Sequence, residues 1–78
     1  MKTTIVAEIG SNWEGSVTKA KKIIRECKKA GANAIKFQMW RAEDLYNASH
    51  PNLKNIKKSE LTFSITRKIK NYSDKQGI

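Results

Sequence analysis

The sequence predicts an α/β fold, and three observations carry that reading. Two short apolar runs, at residues 3–9 and 34–39, have the β-branched character of buried strands. Between them lies a segment whose apolar residues recur at helical intervals, and a second helical pattern occupies 62–76. Strand, helix and strand within about forty residues make a βαβ unit, for which parallel strands and a right-handed crossover are expected. The predicted order, strand–helix–strand–loop–helix, is one quarter of a (β/α)8 TIM barrel or the start of an open sheet.

Each element has its own signals. The first strand, 3–9, stops at Gly10. Ser16 then occupies an N-cap position, and Val17, Ala20, Ile23, Ile24, Cys27 and Ala30 form one apolar helical stripe. Lys19, Lys22, Arg25, Glu26 and Lys29 fall on the opposite face. Lys28 and Lys29 suit the negative end of the helix dipole, and Gly31 is the expected residue just past the helix. The second strand, 34–39, is closed by Trp40. Residues 41–56 are irregular and polar, contain the only proline, Pro51, and read as a long loop with a short turn at Ala42–Leu45. In the last helix Ile65, Ile69 and Tyr72 fall at i, i+4 and i+7, Leu61 and Phe63 anchor its start, and Gly77 ends it.

Length and composition bound the function. Seventy-eight residues form at most one small domain, so residues 1–78 are expected to be a single unit with no second domain. Domains of this size seldom draw more than about 3–5 kcal/mol from one core, which puts independent stability in doubt. With Cys27 as the only cysteine and His50 as the only histidine, no disulfide or structural zinc is expected. Neither a signal-peptide core nor a membrane-length apolar run is present, so the reading is no membrane and, by default, a cytoplasmic location. The net charge of +9 favours anionic partners, but the cations are spread at helix-compatible spacings. Solvated outer helix faces are therefore preferred to a dedicated nucleic-acid surface.

The chemistry concentrates at the ends of the strands. Side chains alternate along a strand, so Thr4, Val6 and Glu8 share one face, and Ala34, Lys36 and Gln38 share one face of the other. The wholly apolar faces belong under the helices, which points Glu8, Lys36 and Gln38 to the opposite side, near the strands' carboxyl ends. Glu8 and Lys36 read either as a charge-neutralising pair or as a site. A buried pair is a poor stability device, and this favours the site. Gln38 alone suits either substrate binding or polar satisfaction. Asn12 suits either a turn with unusual backbone angles or a substrate hydrogen bond. Trp13, Trp40 and Met39 read as packing residues, and Cys27 as inert core. The sequence sets no second ligand at metal-binding spacing from His50, and the Gly-Ser-Asn-Trp-Glu-Gly turn has neither the dinucleotide-binding nor the Walker spacing.

Ile-Val-Ala-Glu-Ile-Gly-Ser-Asn-Trp-Glu-Gly-Ser at 5–16, with Ala-Gly-Ala-Asn-Ala-Ile-Lys-Phe-Gln at 30–38, resembles the N-terminal segment of the N-acetylneuraminate (sialic acid) synthase family. Ala42-Glu43-Asp44-Leu45 and Ser59-Glu60-Leu61-Thr62-Phe63 extend the likeness. It covers nearly the whole chain but only about the first quarter of the family's catalytic (β/α)8 barrel, so it implies an N-terminal fragment. In that family, phosphoenolpyruvate condenses with an N-acylated amino sugar to give a nonulosonic acid and phosphate, assisted by Mn2+ or Mg2+. The resemblance implies Glu8 as the catalytic carboxylate and Lys36 as the contact to phosphoenolpyruvate. It implies Gln38 as a sugar-binding residue, and Asn12 joins Lys36 and Gln38 as a candidate substrate-binding residue.

The metal ligands and the small C-terminal antifreeze-like domain of the family are expected to lie outside this sequence, and a homodimer is compatible with the full-length family. One departure stands out: the family usually reads Asn-His where this chain reads Asn12-Trp13. A large apolar group near the substrate in place of an imidazole would alter sugar specificity. The 78-residue chain by itself is expected to be inactive. Two rival readings are a small basic nucleic-acid-binding module, which lacks a recognised motif, and another TIM-barrel enzyme, an aldolase or 3-deoxy-sugar-phosphate synthase. The coupled Ala-Glu-Ile-Gly and Ile-Lys-Phe-Gln segments argue against the second.

Overall fold

Strands β1 (Val6–Gly10) and β2 (Ala34–Phe37) pair in parallel, with helix α1 (Val17–Lys29) as the connection between them. The chain continues through α2 (Ala42–Leu45) and α3 (Leu53–Lys57) to α4 (Phe63–Gln76). The structure, a computed structural model, describes residues 3–45 and 47–78. The result is a mixed α/β fold built on a two-stranded parallel sheet.

Both strands are shorter than the sequence suggests, and the cause is mutual. Val6, Ala7 and Glu8 pair with Ala34, Ile35 and Lys36, after which the register shifts and Gly10 meets Phe37. Before Val6, the Asn33 side chain accepts the Ile5 N–H at 2.8 Å and closes the ladder in place of another residue pair. At Gly10 the chain turns with φ +56, so Gln38 and Met39 have no strand opposite them. A strand assignment needs a partner, and four residues of β2 supply only a short one.

Helix α1 begins as its cap predicts. The Ser16 side chain accepts the Lys19 N–H at 3.1 Å, and Gly31 follows the helix with φ +94. Helix α4 has the same design: Thr62 accepts the Ile65 N–H at 3.1 Å, and Gly77 takes the left-handed conformation at its end. The two helices pack side by side, and their apolar stripes meet the sheet in a core of Ile9, Trp13, Ala20, Ile24, Leu61 and Ile69. Ile23, Cys27, Ile35, Phe37, Ile65 and Tyr72 close around it. Leu61 anchors the start of α4, but Phe63 is 82% exposed and does not. Among the described residues no helix is long and apolar enough to cross a membrane.

Residues 41–56 differ most from expectation: in place of one loop with a turn, they contain α2 and most of α3, while Tyr46 lies outside the described residues. Two contacts hold these short helices. The Ala42 N–H donates to the Glu60 carboxylate, and Lys57 Nζ reaches Glu43 Oε1 at 2.7 Å. The hydrogen bond from Lys57 is the main reason that Glu43 is lowered from 4.5 to about 2; its own backbone N–H adds to this, and Lys57 is raised in turn. Arg41 and Glu60 are the other charged groups facing the pair. A depressed carboxylate adds stability that is present above pH 4.5 and lost as the pH falls towards 2. A carbon-detected NMR titration should therefore place the Glu43 midpoint near 2 in the folded chain and clearly higher in Lys57→Met, where the backbone hydrogen bond still holds it below the ordinary value. An unshifted Glu43 in the parent chain would mean that α2 and α3 are not clasped.

Candidate functional site

The sheet has one covered face and one open face, and the charged residues stand on the open one. Ile9, Ile35 and Phe37 turn towards the helices, whereas Val6, Glu8 and Lys36 are exposed. Register places Glu8 directly opposite Lys36, and Lys36 Nζ lies 3.2 Å from Glu8 Oε1. The side chains keep 59% and 65% of their exposure, so in this chain the pair is solvated rather than buried. A pair in that setting adds roughly 0–1 kcal/mol to stability. The desolvation argument made for a buried pair does not apply to the chain as it stands.

Next to the pair, the β1–α1 turn is wound by successive backbone bonds. Asn12 N–H donates to Ile9 O, Glu14 N–H to Ser11 O and Ser16 N–H to Trp13 O, at 2.9–3.0 Å. Asn12 is exposed, and the unusual backbone is not its own: among the described residues Glu14 is the non-glycine residue with positive φ, at 53°. Gly15 follows with φ +75, and a Cβ there would fall 2.1 Å from the Lys58 carbonyl oxygen. Only glycine lets this turn lie flat against the chain between α3 and α4.

Beside that contact lies a cavity of about 610 Å³ at the carboxyl end of the sheet, with Ser11, Glu14, Gln38, Trp40, Asn55 and Lys58 on its walls. Gln38, one residue past β2, thus faces a cavity that Glu8 and Lys36 do not line. The structure brings Glu8 and Lys36 together, sets Gln38 on the neighbouring cavity, and leaves Asn12 at the surface of the turn. Trp13 is fully buried in the core among Ile9, Ala20 and Ile24, as its packing reading expects, and not on the substrate side of the turn where the family resemblance would set it. Asn55 and Lys58 escaped sequence reading because α3 did; Pro51 ahead of Leu53 and Ile56 at i, i+3 was the available signal.

Among the described residues no group of three His, Cys, Asp or Glu side chains is placed to hold a metal ion. The N–H of Asn52 donates to His50 Nδ1 at 3.1 Å, which gives that imidazole a local turn role.

The solved crystal structure of N-acetylneuraminic acid (sialic acid) synthetase from Leptospira borgpetersenii, in complex with citrate, superposes on the whole of this chain with a TM-score of 0.90 and 31% identity. The chain belongs to the sialic acid synthase family. The N-acetylneuraminate-9-phosphate synthase of Drosophila melanogaster is 59% identical over 34 residues, 44% of this chain and 9% of its own length. An uncharacterized protein of Methanocaldococcus jannaschii, MJ1065, is 37% identical over 76 residues, 97% of this chain and 23% of that protein. No family profile matches. The chain spans about a quarter of the length of these relatives or less: 27% of the Leptospira structure, 23% of MJ1065 and 9% of the Drosophila synthase.

Proposed function

We propose that this sequence forms the first quarter of a (β/α)8 barrel whose completed site condenses phosphoenolpyruvate with an N-acylated amino sugar. The observation that carries the reading is the 3.2 Å meeting of Glu8 and Lys36 on the open face of two parallel strands, near their carboxyl ends. In a closed barrel that face becomes the interior, where reacting groups sit. Burial would then strengthen the attraction of each charge for an opposite partner.

In this reading Lys36 is a fixed cation for the carboxylate or phosphate of phosphoenolpyruvate, released from Glu8 when substrate arrives. Glu8 orients the sugar and exchanges protons with its hydroxyl or opening ring. Gln38 hydrogen-bonds the sugar from the cavity wall, and Asn12 does so from the turn above. The Mn2+ or Mg2+ of the family finds no ligand set among the described residues of this chain, and no step is assigned to it here. Two strands cannot enclose the substrates, so the 78-residue chain alone should release no phosphate from phosphoenolpyruvate.

Steady-state kinetics on the longer protein containing this sequence test the role of Lys36. Losing a charge-assisted hydrogen bond of roughly 1.5–3 kcal/mol should raise KM for phosphoenolpyruvate about ten- to a hundredfold in Lys36→Met. KM for the sugar should change little. An unaltered phosphoenolpyruvate KM would remove Lys36 from the site.

A further inference from the structure

We propose that the seam between α1 and α4 binds the phosphate backbone of nucleic acid without reading its sequence. This surface lies on the helices, apart from the Glu8–Lys36 face, and does not depend on the condensation chemistry. Ten Lys and Arg residues but only two carboxylates lie on these helices. Both carboxylates are already engaged: Glu26 with Lys29 at 3.8 Å, and Asp74 with Lys70 at 2.7 Å. The seam cations are held by neutral partners instead. Arg25 Nη1 donates to the Tyr72 hydroxyl at 2.9 Å, Lys21 Nζ lies 5.2 Å from the centre of the Tyr72 ring, and Lys28 Nζ donates to Gly77 O at 3.1 Å.

These contacts fix the side chains in place without cancelling their charge. A guanidinium has five N–H donors and an ammonium three, so each keeps donors for a phosphate. Lys68 and Lys75 lie one helical turn to either side of Tyr72 and are exposed. Lys21, Arg25 and Lys28 recur at i, i+4 and i+7 on α1, against Tyr72 and Gly77. With Lys68 and Lys75 flanking Tyr72 on α4, five cations gather at one seam, the electrostatic footprint that a phosphodiester chain fits. A membrane surface fits less well. Interfacial helices present apolar residues to lipid, whereas the apolar stripes of α1 and α4 face the core. The contacts proposed are all to phosphate, so binding carries no sequence preference.

The test is fluorescence anisotropy of a labelled, mixed-sequence single-stranded DNA of about 20 nucleotides with the 78-residue chain. Five neutralised phosphates would weaken binding about a hundredfold between about 50 and 200 mM salt. Lys21→Gln/Arg25→Gln/Lys28→Gln should remove most of that dependence, with circular dichroism checking that the helices persist. Lys68→Gln/Lys75→Gln removes side chains that hold no ion pair, and should reduce the salt slope by about 1.4 even if the triple variant unfolds. Lys54→Gln, on α3, should leave the slope unchanged. The proposal is overturned by salt-independent or absent binding, by a loss from Lys54→Gln equal per charge to that from the seam, or by tighter binding to phosphatidylserine vesicles than to the DNA.

Discussion

Replacing Glu8 with Gln in a protein long enough to complete the proposed barrel should lower turnover roughly 10²–10⁴-fold, the range expected when a positioned acid–base group is lost. Gln keeps the volume of Glu and one carbonyl acceptor, so the substitution removes charge and proton exchange while leaving packing alone. Stability of the 78-residue chain carrying the same substitution should hardly move, because the ion pair that Glu8 makes with Lys36 there is more than half exposed on both sides. Phosphate release from phosphoenolpyruvate in the presence of N-acetylmannosamine measures the first effect, and thermal melting measures the second. The two readouts separate the explanations. Slow turnover with unchanged melting supports a chemical role, whereas a matched fall in both would make Glu8 a structural residue. Wild-type turnover would end its catalytic assignment.

The parts of the molecule that were legible in the sequence share a physical property: their signals are local and repeat. Ser16, Thr62 and Gly77 determine helix ends by bonds that span three or four residues, and α1 and α4 sit where those residues place them. Strand parity is equally local. It fixed Glu8 and Lys36 on the face opposite Ile9, Ile35 and Phe37 once the strands paired in parallel. What escaped depends on contacts made across the chain. The short helices α2 and α3 are too brief to be stable by propensity and exist through the Glu43–Lys57 and Glu60–Ala42 contacts. The cavity that Gln38 lines joins the β1–α1 turn to Asn55 and Lys58, and the turn's Gly15 lies against Lys58, 43 positions away in the chain. Phe63 shows the opposite failure. An aromatic beside a helix cap invites a core assignment, but its position on α4 points away from the stripe of Ile65, Ile69 and Tyr72.

Trp13 brings these levels together, and truncating it should have the largest effect on folding. It is among the largest fully buried side chains, with Ile9, Ala20, Ile24, Leu61 and Ile69 in the same cluster. Trp13→Ala should cost about 3–5 kcal/mol, as deletions of buried aromatics do. That matches the roughly 3–5 kcal/mol that a core of this size supplies, so the cooperative melt of the short chain should disappear. The indole also brings a burden, since its Nε1 is buried without a hydrogen-bond partner. Trp13→Phe removes that polar atom while keeping most of the apolar surface, and should cost far less than Trp13→Ala. Trp13→His, which restores the residue usual in the family, discriminates between core and site. A buried imidazole leaves a void and adds polar atoms, so melting should fall while turnover per folded molecule of the longer protein stays the same. Faster turnover or a changed sugar preference in Trp13→His, with melting unaffected, would place position 13 against the substrate and overturn the core assignment.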